Sequence, residues 1–388
     1  MRACASDIGP TPAQRRDSRG SSSGTRAIHV MVDARRPSPC SGTTLFPSAP
    51  GLTLRQKLPR SSPSEATRLS EADHSRLSDP AEKDPRTMSG VSSPSPTGTQ
   101  VHLQRGAVSA QIAQVGASLR GLRVGDVDLI ARYPENEPTP SCSGVVLAPW
   151  PNRVRDGKWN DNGTMQQLAI TEPKFNNASH GLLRFTAYDI EQTDASATLR
   201  ATIHPQTGYH YEVATAVTYA LTTTGIEVTH TLTNRSDAAA PVALGTHPFV
   251  TIGDVEPRNL VLRVPAKTLL ETDERMLPLR ATPAAEEMRT GVRLGGITLD
   301  TGFADLIRDQ DGRARHSLTA PDGRRVTVWQ GPGFDFVQVY TSVNYPGQKL
   351  AVAIEPMTAP VDGLNSGLGI RRLAPGESWT LSWGIELS

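Results

Sequence analysis

From about Val101 to the C-terminus the sequence predicts an all-β fold, a large antiparallel β-sandwich. Three observations carry that prediction. Short runs rich in Val, Ile, Thr and aromatic residues recur along the segment, and such residues suit a pleated, half-buried surface. Turn dipeptides punctuate them at Asp156-Gly157, Asn162-Gly163, Thr224-Gly225, Asp311-Gly312, Asp322-Gly323 and Pro375-Gly376. No long amphipathic helical pattern alternates with the runs, so they do not read as βαβ units.

Taken in order, the strand-like runs are Leu168–Ile170, Ala214–Leu221, Ile226–Leu232, Leu260–Val264, Val326–Gln330, Phe336–Thr341, Leu350–Ile354 and Trp379–Glu386. Val228-Thr229-His230-Thr231-Leu232 alternates with period two, as a strand with one buried face does. There is no internal repeat at a fixed period and no Gly-rich phosphate loop.

Residues 1–100 have a different composition. They are rich in Ser, Pro and Arg and hold one aromatic residue, Phe46, of the 19 in the chain. A segment with so little to bury does not offset its ordering entropy, so a disordered tail is expected ahead of one domain spanning 101–388. The acidic stretch Glu65–Asp84 argues against an organelle transit peptide, and Met88 stands as an alternative start.

Charge and cysteine content narrow the function. Residues 1–100 carry 14 Lys/Arg and 9 Asp/Glu; the remainder carries 26 and 30, a balance of −4. A mildly acidic domain gives no electrostatic reason to bind nucleic acid or a membrane surface. Cys4, Cys40 and Cys142 form no disulfide or zinc pattern, which fits a cytoplasmic protein. No 18-residue apolar run is present to cross a bilayer.

Three segments place ionisable groups beside turn residues. The first contains Pro149-Trp150-Pro151-Asn152-Arg153 and, further on, Ser179-His180-Gly181-Leu182. The second is Gly245-Thr246-His247-Pro248-Phe249, and the third runs from Ala353-Ile354-Glu355-Pro356 to Asn365-Ser366-Gly367.

Proline has no ladder donor, so Pro356 predicts that the strand carrying Glu355 ends there or lies at an edge. Two readings fit such a carboxylate: a desolvated general base, or a surface group capping a turn. His180 and His247 stand beside Gly181 and Pro248 and read either as proton donors and acceptors or as satisfied structural histidines. Gly181 permits close approach of a ligand or of another strand. Arg153, in a Pro-bounded loop, offers fixed donors to sugar hydroxyls or a solvated charge, and Asp300 offers a hydroxyl acceptor or a turn cap. Trp159, Trp329, Trp379 and Trp383 read as core before they read as stacking platforms. Intervals of 67 and 108 residues between His180, His247 and Glu355 are not a local metal motif.

In this order the segments resemble the aldose 1-epimerase (galactose mutarotase) family, bacterial branch. Asn152-Arg153, His180-Gly181, Thr246-His247-Pro248-Phe249 and Glu355-Pro356 through Asn365-Ser366-Gly367 carry the resemblance. Pro149-Trp150-Pro151-Asn152-Arg153 and His180-Gly181-Leu182-Leu183-Arg184 are similar to a subgroup that includes sulfosugar-operon mutarotases. The resemblance covers roughly 101–388 and implies the galactose mutarotase-like supersandwich and interconversion of the α and β anomers of an aldose without a cofactor or metal.

It assigns Glu355 as base, His247 as acid and His180 as the group orienting the sugar. Asn152, Arg153 and Asp300 would hold hydroxyls. Base and acid are expected on opposite sides of one pocket, with the carboxylate setting the acid limb of a bell-shaped pH profile and histidine the alkaline limb. A neutral aldohexose is the expected substrate. An anionic sugar (hexose 6-phosphate or sulfoquinovose) and a non-catalytic carbohydrate-binding protein on the same fold are the alternatives. The expected partner is a small-molecule sugar, with a monomer or homodimer as the assembly.

Overall fold

The structure, a computed structural model, describes residues 95–388. Of the tail expected over 1–100, residues 1–94, with Cys4, Cys40 and Met88, lie outside the described residues. Its next few residues are described: a turn over 95–98 buries Thr97 and leads into the first strand, Gln100–Arg105.

Two large antiparallel sheets hold most of the strand residues among the described residues. The nine-stranded sheet is centred on Val213–Leu221, Gly225–Asn234, Ser378–Leu387 and Arg325–Gln330. Period-two alternation decides its faces. Ile226, Val228, His230, Leu232 and Asn234 point into the core, while Thr229, Thr231 and Thr233 face outward and pair their hydroxyls with Ser382, Thr380 and Ser378. Trp159, Trp329 and Trp383 are buried, as core tryptophans should be.

The eight-stranded sheet carries the site. Its middle strands are Asp300–Leu306, Phe336–Ser342 and Ala351–Met357, followed by the short pieces Gly245–Thr246 and Val146–Leu147. Phe249–Val250 pairs with Ala351–Met357 on the same side as Gly245–Thr246. Apolar side chains from both large sheets and from a four-stranded sheet over 100–128 merge into one core. Among the described residues the helices are single turns, Glu286–Thr290 and Gly363–Ser366 being α-helical, and none is long and apolar enough to cross a membrane.

Most sequence-predicted strands are present within one or two residues, and three expectations are corrected. Leu168–Ile170 is not a strand. The strand Thr164–Gln167 ends before it, and the Leu168 amide donates instead to the Gly157 carbonyl at 2.7 Å. Arg153 is not in a loop but opens the strand Arg153–Arg155, paired with Asn177–Ser179.

Pro356 does not end its strand, which runs on to Met357 with every residue buried. The reason lies in the neighbour. The amides of Ile354 and Thr358 donate to the carbonyls of Pro248 and Leu244. By alternation the amide position of Pro356 faces the same neighbour, where His247-Pro248 interrupts the pairing between Gly245–Thr246 and Phe249–Val250. The missing donor therefore falls at a gap in the ladder, and Glu355 becomes an interior strand residue.

Candidate active site

Cross-strand register builds the floor of the site. Gln338 lies opposite Glu355 and Gly302, while Tyr340 lies opposite Ala353 and Asp300. Residues two apart share a face, so Glu355, Gln338, Tyr340 and Asp300 line one cavity of about 440 Å³. Its walls come from the segments around Asn152-Arg153, Thr171–Phe175, Ser179-His180 and His247. All six residues singled out in the sequence reach this cavity.

Glu355 and His247 touch. His247 Nε2 lies 3.3 Å from Glu355 Oε1, with both side chains buried. They stand side by side rather than across the cavity, because the His247-Pro248 gap lies directly beside the Glu355 strand. Glu355 Oε2 and His247 Nδ1 have no hydrogen-bond partner among the described residues. Burial disfavours the charged form of each group. It holds Glu355 well above the ordinary carboxylate range, helped by the Asp300 charge and opposed by Arg153. It brings His247 down to about 4, with a smaller contribution from Arg153. The carboxylate thus titrates above the imidazole, the reverse of the order expected from the sequence.

His180 follows the strand Asn177–Ser179 in a left-handed conformation, φ 63°. Its amide donates to the Asn152 carbonyl at 2.9 Å, and the Asn152 amide donates to His180 Nδ1 at 3.3 Å. With Nδ1 accepting, a neutral His180 carries its proton on Nε2 and is a donor there. Burial, then the charges of His247, Arg153 and Arg184, hold it neutral, well below the usual histidine value. The two imidazoles meet edge to face with centroids 5.6 Å apart. Gly181, φ 70°, serves close backbone packing rather than a ligand: a Cβ there would stand 2.1 Å from the Ala148 carbonyl oxygen.

The Arg153 side chain is held by two carboxylates. Its Nε and one terminal nitrogen, Nη2, donate to Glu172 at 2.8 and 3.1 Å, and Nη2 also reaches Asp300 Oδ2 at 3.5 Å. Asp300 opens its strand and accepts from Gln338 Nε2 at 2.6 Å, so it is part of the cavity floor and not a turn cap. Asn152 Oδ1 accepts from the Arg153 amide at 2.9 Å. The stretch after Glu355 is scaffold as well: the Asp362 amide donates to the Arg153 carbonyl, and Asp362 Oδ1 accepts from the Arg155 amide.

Sequence reasoning missed Glu172, Phe175, Gln338 and Tyr340. Gln338 and Tyr340 had a signal, since they alternate within a recognised strand run, but only the register with Glu355 turns their face toward the cavity. Among the described residues no group of three His, Cys, Asp or Glu side chains is arranged to hold a metal ion.

Residues 99–386 match the family model of aldose 1-epimerase. The chain belongs to the aldose 1-epimerase family. It is 30% identical over 300 residues to the uncharacterized protein YihR of Escherichia coli, covering 74% of this chain and 93% of that one. Among solved structures it is similar to a galactose mutarotase-like protein from Clostridium acetobutylicum, with a TM-score of 0.67 at 19% identity, covering 74% of this chain and 95% of that one. It is also similar to galactose 1-epimerase from Lactobacillus acidophilus, with a TM-score of 0.63 at 18% identity, covering 74% and 94%. Those structures carry the galactose mutarotase-like fold, and this aldose 1-epimerase family member shares it.

Proposed function

We propose that the protein is a mutarotase that interconverts the α and β anomers of an aldohexose. The observation that carries the reading is the buried Glu355–His247 contact at a cavity, with one carboxylate oxygen unpartnered. Mutarotation removes a proton from the C1 hydroxyl and delivers one to the ring oxygen. Both oxygens are bonded to C1, so a base and an acid standing side by side can serve them together.

Glu355 takes the hydroxyl proton and His247 protonates the ring oxygen. The C1–O5 bond breaks to give the free aldehyde, rotation about C1–C2 presents the other face, and reversal of the proton transfers closes the ring. The catalytic form has Glu355 as carboxylate and His247 protonated. It differs from the neutral pair only in where one proton sits, so substrate binding needs to move that proton and not supply it. His180, donating from Nε2, orients the sugar; Asn152, Arg153 and Asp300 hold its hydroxyls.

Arg153, matched by Glu172 and Asp300, supports a neutral hexose. One observation favours a second reading, an anionic sugar. Lys174 and Arg184 also line the cavity, and neither is in a salt bridge among the described residues; Lys174 stacks on Phe175 and Arg184 on Phe185. Polarimetry on freshly dissolved pure anomers of galactose, glucose, glucose 6-phosphate and sulfoquinovose at two salt concentrations separates the readings. Enzyme-dependent acceleration is expected, greatest for a neutral hexose. A preference for an anionic sugar that weakens with salt selects the second reading, and no acceleration with any sugar overturns both.

A further inference from the structure

The mutarotase reading leaves Glu172 without a role, yet no side chain binds Arg153 more fully. Arg153 is nearly buried, and its guanidinium meets the Glu172 carboxylate fork to fork, Nε to Oε2 and Nη2 to Oε1. Paired contacts of this kind fix orientation as well as supply energy. Asp300 contributes only a 3.5 Å contact and is itself held by Gln338. Arg153 lines the cavity, and its third guanidinium nitrogen, Nη1, makes no hydrogen bond among the described residues. It is the donor left for a ligand.

The segment bearing Glu172 is built to hold still. The amides of Thr171 and Glu172 both donate to the Asn177 carbonyl, at 3.2 and 3.0 Å. The Phe175 carbonyl accepts from Arg275 Nε at 3.1 Å, while its ring lies 5.7 Å from the Arg153 guanidinium carbon. One short stretch thus grips Arg153 by a carboxylate and by a ring.

We propose that Glu172 is a positioning and specificity-determining residue. It spends one edge of the Arg153 guanidinium on the protein, presents Nη1 to a neutral hydroxyl, and cancels a positive charge that would otherwise admit anions to the cavity. The proposal rests on the mutarotase reading for its kinetic consequence but not for its binding consequence.

Glu172→Gln preserves size and removes the charge. Mutarotation kinetics of galactose and glucose, and calorimetric titration with each sugar and with inorganic sulfate, test the idea in the full chain. The expected result is a KM and sugar Kd raised about 10-fold, the scale of one lost charge-assisted hydrogen bond. kcat stays within about 3-fold, because ground-state and transition-state binding weaken together. Sulfate binds at least about 5-fold more tightly than to wild type, since the Arg153 charge is no longer matched. In an Arg153→Lys background, whose ammonium lacks the fork, Glu172→Gln adds less than about 2-fold to KM, which marks the two residues as one unit.

An unchanged KM, a fall confined to kcat, or unchanged sulfate binding overturns the proposal, because a purely structural Glu172 would not tighten an anion. If wild type mutarotates neither sugar, the calorimetry still decides: tighter sulfate binding in the variant upholds the role of Glu172 and leaves the mutarotase reading as what failed.

Discussion

Four buried or half-buried histidines among the described residues divide between two regions of this molecule. His230 and His316 sit in the core of the nine-stranded sheet, and His180 and His247 sit at the cavity of the eight-stranded one. Burial is the main reason that all four fall below the ordinary histidine value, to about 3 for His230 and about 4 for His316 and His247. Partners separate them. His230 Nε2 accepts the Trp383 indole N–H at 2.9 Å. His316 Nε2 lies 3.0 Å from Gln330 Oε1, whose amide nitrogen donates to the Phe334 and Phe336 carbonyls. Those partners are uncharged and sealed in. His247 instead meets a carboxylate that retains a free oxygen at a cavity. A depressed proton affinity therefore marks burial, and the carboxylate contact at an opening marks the site.

The sharpest way to break the comparison is to remove each member of the pair and a core histidine in parallel. Glu355→Gln is expected to keep sugar affinity and lower kcat at least ~10²-fold, the low end for losing a general base. His247→Asn should cost a similar factor. Stopped-flow polarimetry beside sugar titration measures both. Near wild-type turnover in either variant removes that residue from proton transfer and makes His180 the next candidate.

The pH dependence sharpens it further. The active pair carries one proton. Below about 4, where His247 gains a proton beside a protonated Glu355, the pair carries two; above the raised value of Glu355 it carries none. kcat/KM should therefore rise through the lower value, hold across a plateau, and fall through the upper, both limbs belonging to the pair. In His247→Asn only the carboxylate remains, so residual activity should climb with pH and lose its alkaline limb. A bell of unchanged shape in that variant sinks the assignment.

The fold was largely legible because its evidence is local. Alternation over 226–232 and turns such as Asn162-Gly163, both residues at positive φ between Lys158–Asp161 and Thr164–Gln167, need no distant information. The site was legible only where a residue type announces chemistry, as with His247 and Glu355. Pro356 misled because its tolerance depends on a gap 108 residues upstream in the chain, between Glu355 and His247. Glu172 was invisible because nothing around it points to Arg153; the pairing of Arg153–Arg155 with Asn177–Ser179 brings them together. Register across strands is the information that a single sequence withholds.

The smallest expected effect lies in the core. His316→Leu should leave kcat/KM unchanged within about 2-fold and destabilise the fold at pH 7 by about 1–3 kcal/mol, the cost of leaving the Gln330 carbonyl oxygen unpaired in the interior. The sign of its pH dependence follows from linkage. Folded His316 titrates near 4 and an unfolded histidine near ~6.5, so between those values the unfolded chain binds the extra proton. The wild-type contribution is therefore complete above ~6.5 and is lost as pH falls toward 4, at a slope approaching 1.4 kcal/mol per pH unit. Leucine binds no proton in either state, so the stability gap between variant and wild type should narrow as the pH is lowered. Urea unfolding at several pH values between 4 and 7 reads it directly. A gap constant with pH means that His316 is not held neutral by burial, and a loss of activity at unchanged stability means that the nine-stranded sheet takes part in the chemistry after all.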